Sequence, residues 1–254
     1  MAFELYTEIL QGVFIAAALT FLVSLFISSP YGKHERDGWG PGINMRLGWC
    51  ILELPAFAFM FWFYWQGEFT FHLVPLILFS LFQIHYFHRS FIYPLQIRVK
   101  PNAEYKWALL LMGMPFNAAN GALNGWHLSQ LATPLYDNAW LYDIRFISGL
   151  IIFAAGFALT KHSDAILRNL RKPGETGYKI PVGGMYRYVS CPNYLGEMIQ
   201  WSGFALAGWS LPALAFVAFT ASNLIPKAIA SHQWYKENFA DYPTDRKAVI
   251  PFII

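Results

Sequence analysis

The stretch "LGWCILELPAFAFMFWFYW", residues 47–65, decides the fold class. It is apolar and aromatic apart from one carboxylate, Glu53, with Pro55 two residues further on. A helix needs about 20 apolar residues to cross the hydrocarbon core of a bilayer, and this run has that length. The rest of the chain is similar in character: 254 residues, 56% hydrophobic, 19% aromatic and only 13% charged. Soluble domains carry about 25% charged residues. The composition therefore excludes an ordinary soluble domain and predicts an all-α, multi-pass membrane bundle.

Working outward from residues 47–65, hydropathy predicts seven transmembrane helices, over 5–28, 44–66, 71–93, 105–129, 143–161, 194–208 and 210–229. The last two are separated only by "GWSLP" and read as a helical hairpin. The first lacks a basic leader and is too long for a signal-peptide core, so it reads as a spanning helix. With this layout, 17 of the 18 Lys and Arg residues gather on one side, leaving Arg145 on the other with Glu4, Glu8, Glu68 and Asp137. The positive-inside rule then puts the N-terminus outside or in a lumen and the C-terminus in the cytosol. The membrane is that of the endoplasmic reticulum or a bacterial cytoplasmic membrane. Cys50 and Cys191 are far apart and suggest no disulfide framework. No repeat or long linker interrupts the chain, which reads as one domain, residues 1–254, and as a monomer.

An ionisable group within a span costs about 2.5 kcal/mol or more, so such groups tend to be paired, protonated or functional. Glu53 is the clearest case. It reads either as a structural carboxyl bonded to a neighbouring helix or as an acid in an apolar pocket. In the second reading burial disfavours its charged form, and the protonated acid donates a hydrogen bond to a carbonyl. The segment "IHYFHRSFIYP", residues 84–94, offers Tyr86 as a phenolic donor or, more plainly, an interfacial aromatic belt. Its single HxxH, His85 and His88, is too little for a metal centre, and no metal is expected. Asn117, Asn120 and Asn124 share one face of the fourth span, as helix glue or as a cavity lining. Asn193, Glu197 and Gln200 form a polar stripe at the start of the sixth.

The loop over 162–193 is basic and rich in Gly and Pro. Asp164, Arg168 and Arg171 fall on one face of a helix prolonging the fifth span, and "KPGETG" ends it. Sorting by charge alone makes loops basic, as does contact with anionic lipid. The polar stripes running into the bundle beside this loop also suit a phosphorylated cofactor. No GxGxxG follows a predicted strand, so a Rossmann domain is not expected, and neither is nucleic-acid binding.

The segments "ELPAF", "HYFHRSFIYP", "DIRF", "HSDAILRNLRKPGETGYKIPVGGMYRYVSCPNYLGE" and "FADYPTDRKAVIPFII" resemble the steroid 5α-reductases, from about residue 45 to the C-terminus. The resemblance implies a seven-helix enzyme that uses NADPH to reduce the 4,5 double bond of a 3-oxo-Δ4-steroid. It implies that Glu53 and Tyr86 hold the 3-keto oxygen and that Trp49 stands near the nicotinamide or the substrate. Nucleotide contacts are implied for Asp164, Arg171, Tyr178, Asn193, Tyr235 and Arg246, with Lys179, Arg98 and Lys100 beside them. Asn120 is expected at the cofactor and Glu197 at the substrate. Leu52 stands where mammalian members often have Gln, Lys179 and Lys227 where they have Arg, and Ser231 where they have His. The rival readings are a methyltransferase of the isoprenylcysteine carboxyl methyltransferase type, using S-adenosylmethionine, and a non-catalytic sterol-binding protein.

Overall fold

The computed structural model describes residues 1–27, 32–36, 38–131, 135–172, 175 and 177–254. Its architecture is set by long helices whose ends the sequence marks. Helix α1 runs Phe3–Phe26. Helix α2, Met45–Tyr64, starts where the Asn44 side chain accepts from the backbone N–H groups of Arg46 and Leu47, at 3.0 and 3.3 Å. That satisfies two of the donors a helix start leaves open. Helix α3, Leu73–Phe87, continues through a π-helical segment, His88–Ile92, into the short α4, Tyr93–Gln96. Helix α5 is Trp107–Trp126 and passes into a second π segment, His127–Leu131. Helix α6, Ile144–Asn169, is capped by the Asp143 carboxylate accepting from the Arg145 N–H at 2.8 Å. Helix α7, Pro192–Gly208, and helix α8, Leu211–Asn238, form the expected hairpin. Trp209 turns the chain there with a left-handed backbone, φ 41°, and Ser210 caps α8.

These helices lie where hydropathy placed the seven expected spans. Four of them, α1, α2, α6 and α8, are long and apolar enough to cross a membrane by length and composition. The other three are shorter or carry more polar residues: α3 is 15 residues of regular helix, α7 is 17, and α5 holds Asn117, Asn120 and Asn124. The fifth expected span extends to Asn169 as a helix, with Asp164 and Arg168 on it. Pro173, Gly174 and Thr176 of the expected stop signal lie outside the described residues.

Lipid is as apolar as Leu, so burial alone does not drive helices together within it; close backbone approach does. The sequence supplies glycines for this. Helix α6 lies along α7 through Gly149 and Gly156 on one and Gly196 and Gly203 on the other. A Cβ built at Gly203 would sit 2.3 Å from the Phe153 backbone nitrogen. Helix α2 lies along α5, and α1 along α8. A two-stranded antiparallel ribbon, β1 (Gly42–Asn44) with β2 (Glu104–Lys106), ties the starts of α2 and α5. The buried core between α2, α3, α7 and α8 contains Met60, Tyr64, Phe82, Trp201 and Phe204. The C-terminal segment returns to the loop before α7: Ser190 and Cys191 donate backbone hydrogen bonds to Lys247 and Ala248 at 2.8 and 3.0 Å.

Candidate functional site

A cavity of about 480 Å³ runs among α2, α3, α5, α7 and α8. At one end it is walled by Trp201, Phe216 and Phe116, with Tyr86 and Glu53 facing it. At the other end Lys33, Arg171 and Lys179 line it with Tyr178 and Tyr235, and Lys227 also borders the space. The molecule thus joins an apolar, acid-and-phenol end to a cationic end within one space.

Glu53 is buried on α2, one turn after Trp49. It does not stand alone. Arg89, in the π segment after α3, places Nη2 3.3 Å from Glu53 Oε1 and Nη1 3.7 Å from Glu197 Oε1. Trp49 and Tyr93 present ring faces to the same guanidinium at 5.1 and 4.6 Å. The extra residue of a π segment shifts the side chains that follow, and such segments recur at functional sites. Here one aims Arg89 between two carboxyls. Both sequence readings of Glu53 therefore meet here: it lines the pocket and it is bonded to a neighbouring element through Arg89, a cation that Glu197 shares.

Tyr86 is buried against Phe82, Trp201 and Phe216, with ring centroids at 4.6, 5.9 and 6.4 Å. Its hydroxyl accepts a hydrogen bond from Asn120 Nδ2 at 3.1 Å. The polar stripe of α7 meets three different elements. Asn193 Nδ2 donates to Asp164 Oδ1 on α6 at 3.4 Å, Glu197 meets Arg89, and Gln200 Nε2 lies 2.8 Å from His85 Nδ1 on α3. His88 is instead bonded to Lys161 Nζ at 2.8 Å, so the two histidines of HxxH take separate partners.

At the cationic end, Lys33 Nζ lies 4.2 Å from the Tyr235 ring centroid and 5.6 Å from that of Trp234. Burial pushes the Lys33 ammonium below its usual range, because charge is disfavoured away from water. Two buried ring or guanidinium nitrogens, His34 Nε2 and Arg246 Nε, have no hydrogen-bond partner among the described residues. Clustered cations, aromatic faces and unsatisfied donors are the surroundings that a phosphorylated ligand satisfies.

Residues 102–254 match the family model of 3-oxo-5-alpha-steroid 4-dehydrogenase. The chain belongs to that family. It is 42% identical over 252 residues to 3-oxo-5-alpha-steroid 4-dehydrogenase 2 of Homo sapiens, covering 97% of each chain. It is 39% identical over 252 residues to Steroid 5-alpha-reductase DET2 of Gossypium hirsutum, covering 98% of this chain and 97% of that one. It is 41% identical over 231 residues to 3-oxo-5-alpha-steroid 4-dehydrogenase 1 of Rattus norvegicus, covering 90% and 87%. As a member of the 3-oxo-5-alpha-steroid 4-dehydrogenase family the chain is an oxidoreductase.

In this 3-oxo-5-alpha-steroid 4-dehydrogenase family member the cavity gathers nine of the residues singled out from sequence: Trp49, Glu53, Tyr86, Arg171, Tyr178, Lys179, Asn193, Glu197 and Tyr235. Five others lie off its wall. Asn120 stands behind Tyr86 rather than at the cationic end. Asp164 is one residue back, held by Asn193. Arg246 is buried and donates to the Pro181 carbonyl at 3.2 Å. Arg98 bonds the Arg171 carbonyl, and Arg171 Nη2 returns a bond to the Arg98 carbonyl at 2.9 Å, so Arg98 steadies a lining residue. Lys100 is exposed. The cavity wall does not include these five. The sequence reading passed over Arg89 and Lys33 as partners. Arg89 is three residues after Tyr86, which puts both on one helical face, and that spacing was the available signal. Lys33 had none, since the fold alone brings its loop to α8.

Proposed function

We propose that this chain reduces the 4,5 double bond of a 3-oxo-Δ4-steroid, with NADPH as reductant, in a bundle whose seven long helices all cross the membrane. Glu53 and Tyr86 hold the steroid's C3 oxygen. The observation carrying this reading is the single cavity that joins these two groups and an aromatic wall to a cluster of cations. A rigid, four-ring hydrocarbon suits the aromatic end, and a dinucleotide's phosphates suit Lys33, Arg171 and Lys179. S-adenosylmethionine carries no phosphate to meet these cations.

Reduction adds a hydride at C5 and a proton at C4, and negative charge develops on the C3 oxygen between the two events. NADPH, with its phosphates held by Lys33, Arg171 and Lys179, would supply the hydride. The chain's own task is to stabilise the oxyanion. The Tyr86 hydroxyl accepts from Asn120, which leaves its own proton for the C3 oxygen. Arg89 serves two carboxyls, so the group Glu53–Arg89–Glu197 is neutral when one carboxyl holds a proton. A proton on Glu53 gives the C3 oxygen its second donor. Trp201, Phe216 and Phe116 keep water from the charge as it forms, where a fixed donor is worth most.

The cavity's cations belong to the basic side of the chain, so the nucleotide enters from the cytosol. Orientation with the C-terminus cytosolic follows from the same asymmetry. The protein works as one membrane-embedded domain and as a monomer. The test is NADPH oxidation by the detergent-solubilised protein with testosterone or progesterone. Tyr86→Phe should lower kcat by about 10²–10³-fold, the cost of losing one oxyanion donor. Undiminished turnover in both Tyr86→Phe and Glu53→Gln refutes the assigned roles.

A further inference from the structure

The oxyanion reading requires the Tyr86 hydroxyl to donate into the cavity, and something has to fix that direction. A phenol hydroxyl both donates and accepts, so a neighbouring amide could equally draw its proton away. The neighbour is Asn120, buried on α5 and 34 residues away in sequence. Which end of the Asn120 amide faces Tyr86 decides what Tyr86 can do.

That orientation is forced by the next turn of α5. Asn124 Nδ2 lies 3.0 Å from the backbone carbonyl oxygen of Asn120 and 2.9 Å from Asn120 Oδ1. A backbone carbonyl only accepts, so Asn124 must present its NH₂ group there. The same NH₂ then meets Asn120 Oδ1, so Asn120 turns its oxygen to Asn124 and its own NH₂ to Tyr86. Tyr86 accepts from it, and its proton is left for the cavity. Asn120, Asn124 and Tyr86 are all buried, so water does not supply a competing partner freely. The direction propagates from one fixed acceptor, the peptide carbonyl, through two amides to one hydroxyl.

We propose that Asn120 and Asn124 are positioning residues that set Tyr86 as a donor, and thereby tune the site for a carbonyl oxygen rather than a hydroxyl. This rests on the reading that Tyr86 holds the steroid's C3 oxygen. A ketone oxygen takes two donors without supplying a proton of its own. A 3-hydroxysteroid must place its proton on an acceptor, and a Tyr86 held as donor denies it one. The spacing of Asn117, Asn120 and Asn124 in sequence fits helix glue or a cavity lining, and Asn117 does both, lining the cavity and donating to the Leu52 carbonyl at 2.6 Å.

The experiment is a double-mutant cycle on the whole protein in detergent. Asn124→Leu frees the Asn120 amide to turn over, and Asn120→Asp replaces the NH₂ donor with an oxygen of the same size. Each is made with and without Tyr86→Phe. Three quantities are measured: kcat, the NADPH dissociation constant, and the ratio of affinities for a 3-oxo-Δ4-steroid and its 3β-hydroxy counterpart. With Tyr86 present, each variant should lower kcat and the oxo-to-hydroxy ratio by about tenfold, the weight of one neutral hydrogen bond. NADPH binding should stay unchanged. In the Tyr86→Phe background neither variant should lower either quantity further. Equal losses in both backgrounds, or an unmoved oxo-to-hydroxy ratio, overturn the positioning role. If Tyr86→Phe costs activity while the Asn variants are silent, this inference fails and the reading of Tyr86 stands. If Tyr86→Phe is itself silent, both fall.

Discussion

Replacing Arg89 with methionine tests the charge cluster most directly. Methionine approximates the length of the arginine stem and removes only the charged fork. Two carboxyls, Glu53 and Glu197, then lose their shared cation within the bundle. Their side chains are 11% and 17% exposed, so water compensates little. At 3.7 Å the Arg89–Glu197 ion pair is worth about 4.5 kcal/mol in an effective dielectric of about 20, before the cost of desolvation. Breaking a buried pair by removing one partner costs about 3–5 kcal/mol, because the remaining charge is uncompensated. At roughly 2–4 °C per kcal/mol for a chain of this size, Arg89→Met should lower the unfolding midpoint by about 6–20 °C. The assay is thermal unfolding in detergent followed by intrinsic tryptophan fluorescence. With the proton on Glu53, the charge orphaned is that of Glu197, so adding Glu197→Gln should recover part of the lost stability without restoring steroid reduction, whereas adding Glu53→Gln should recover little. A midpoint for Arg89→Met within about 2 °C of the parent protein, or a double variant with Glu197→Gln no more stable than the single one, would refute the shared-cation account.

Two further outcomes follow from the packing and from the cationic end. Gly203→Ala should destabilise the protein by about 1–3 kcal/mol, as overpacking does, because its Cβ meets backbone of α6 at 2.3 Å. Gly208→Ala, whose Cβ finds its nearest neighbour at 3.5 Å, should change stability by no more than about 0.5 kcal/mol; equal melting shifts for the two would contradict the close α6–α7 approach. Lys33 loses its proton at lower pH than an ordinary lysine because it is buried. NADPH affinity should therefore weaken as pH rises through that lowered value, whereas Lys33→Arg, which stays charged, should hold its affinity to more alkaline pH. Superimposable fluorescence titrations of the two proteins across pH would exclude Lys33 as a phosphate ligand.

Much of the fold was legible along the chain because membrane spans are written locally. Residues 47–65 declare a helix by composition, and Asn44 before them supplies the cap that starts α2. "GWSLP" places a left-handed Trp209 and a capping Ser210 between two helices, as its turn residues suggest. The π segments after α3 and α5 were not legible. Pro94 and Gly125 stand beside them, but neither residue says that a π turn rather than a kink or a break will form, and the contacts of Arg89 and Ser129 accompany the segments in the fold.

The site divides in the same way. By itself the sequence determined that an acid lies inside a greasy segment, that Tyr86 lies near the end of another, and that the loop before α7 is rich in cations. Local composition carries each of these facts. Which face of each helix meets which neighbour is a matter of packing, and no short window encodes it. Only the tertiary structure decided that Glu53 finds Arg89, 36 residues away, and that Asn120 faces Tyr86 rather than the cationic end. It also decided that the three polar residues of one α7 face go to α6, to the π segment and to α3. The glycines that let α6 and α7 approach closely fix that register. Because buried polar groups must be paired, the register in turn fixes the partners.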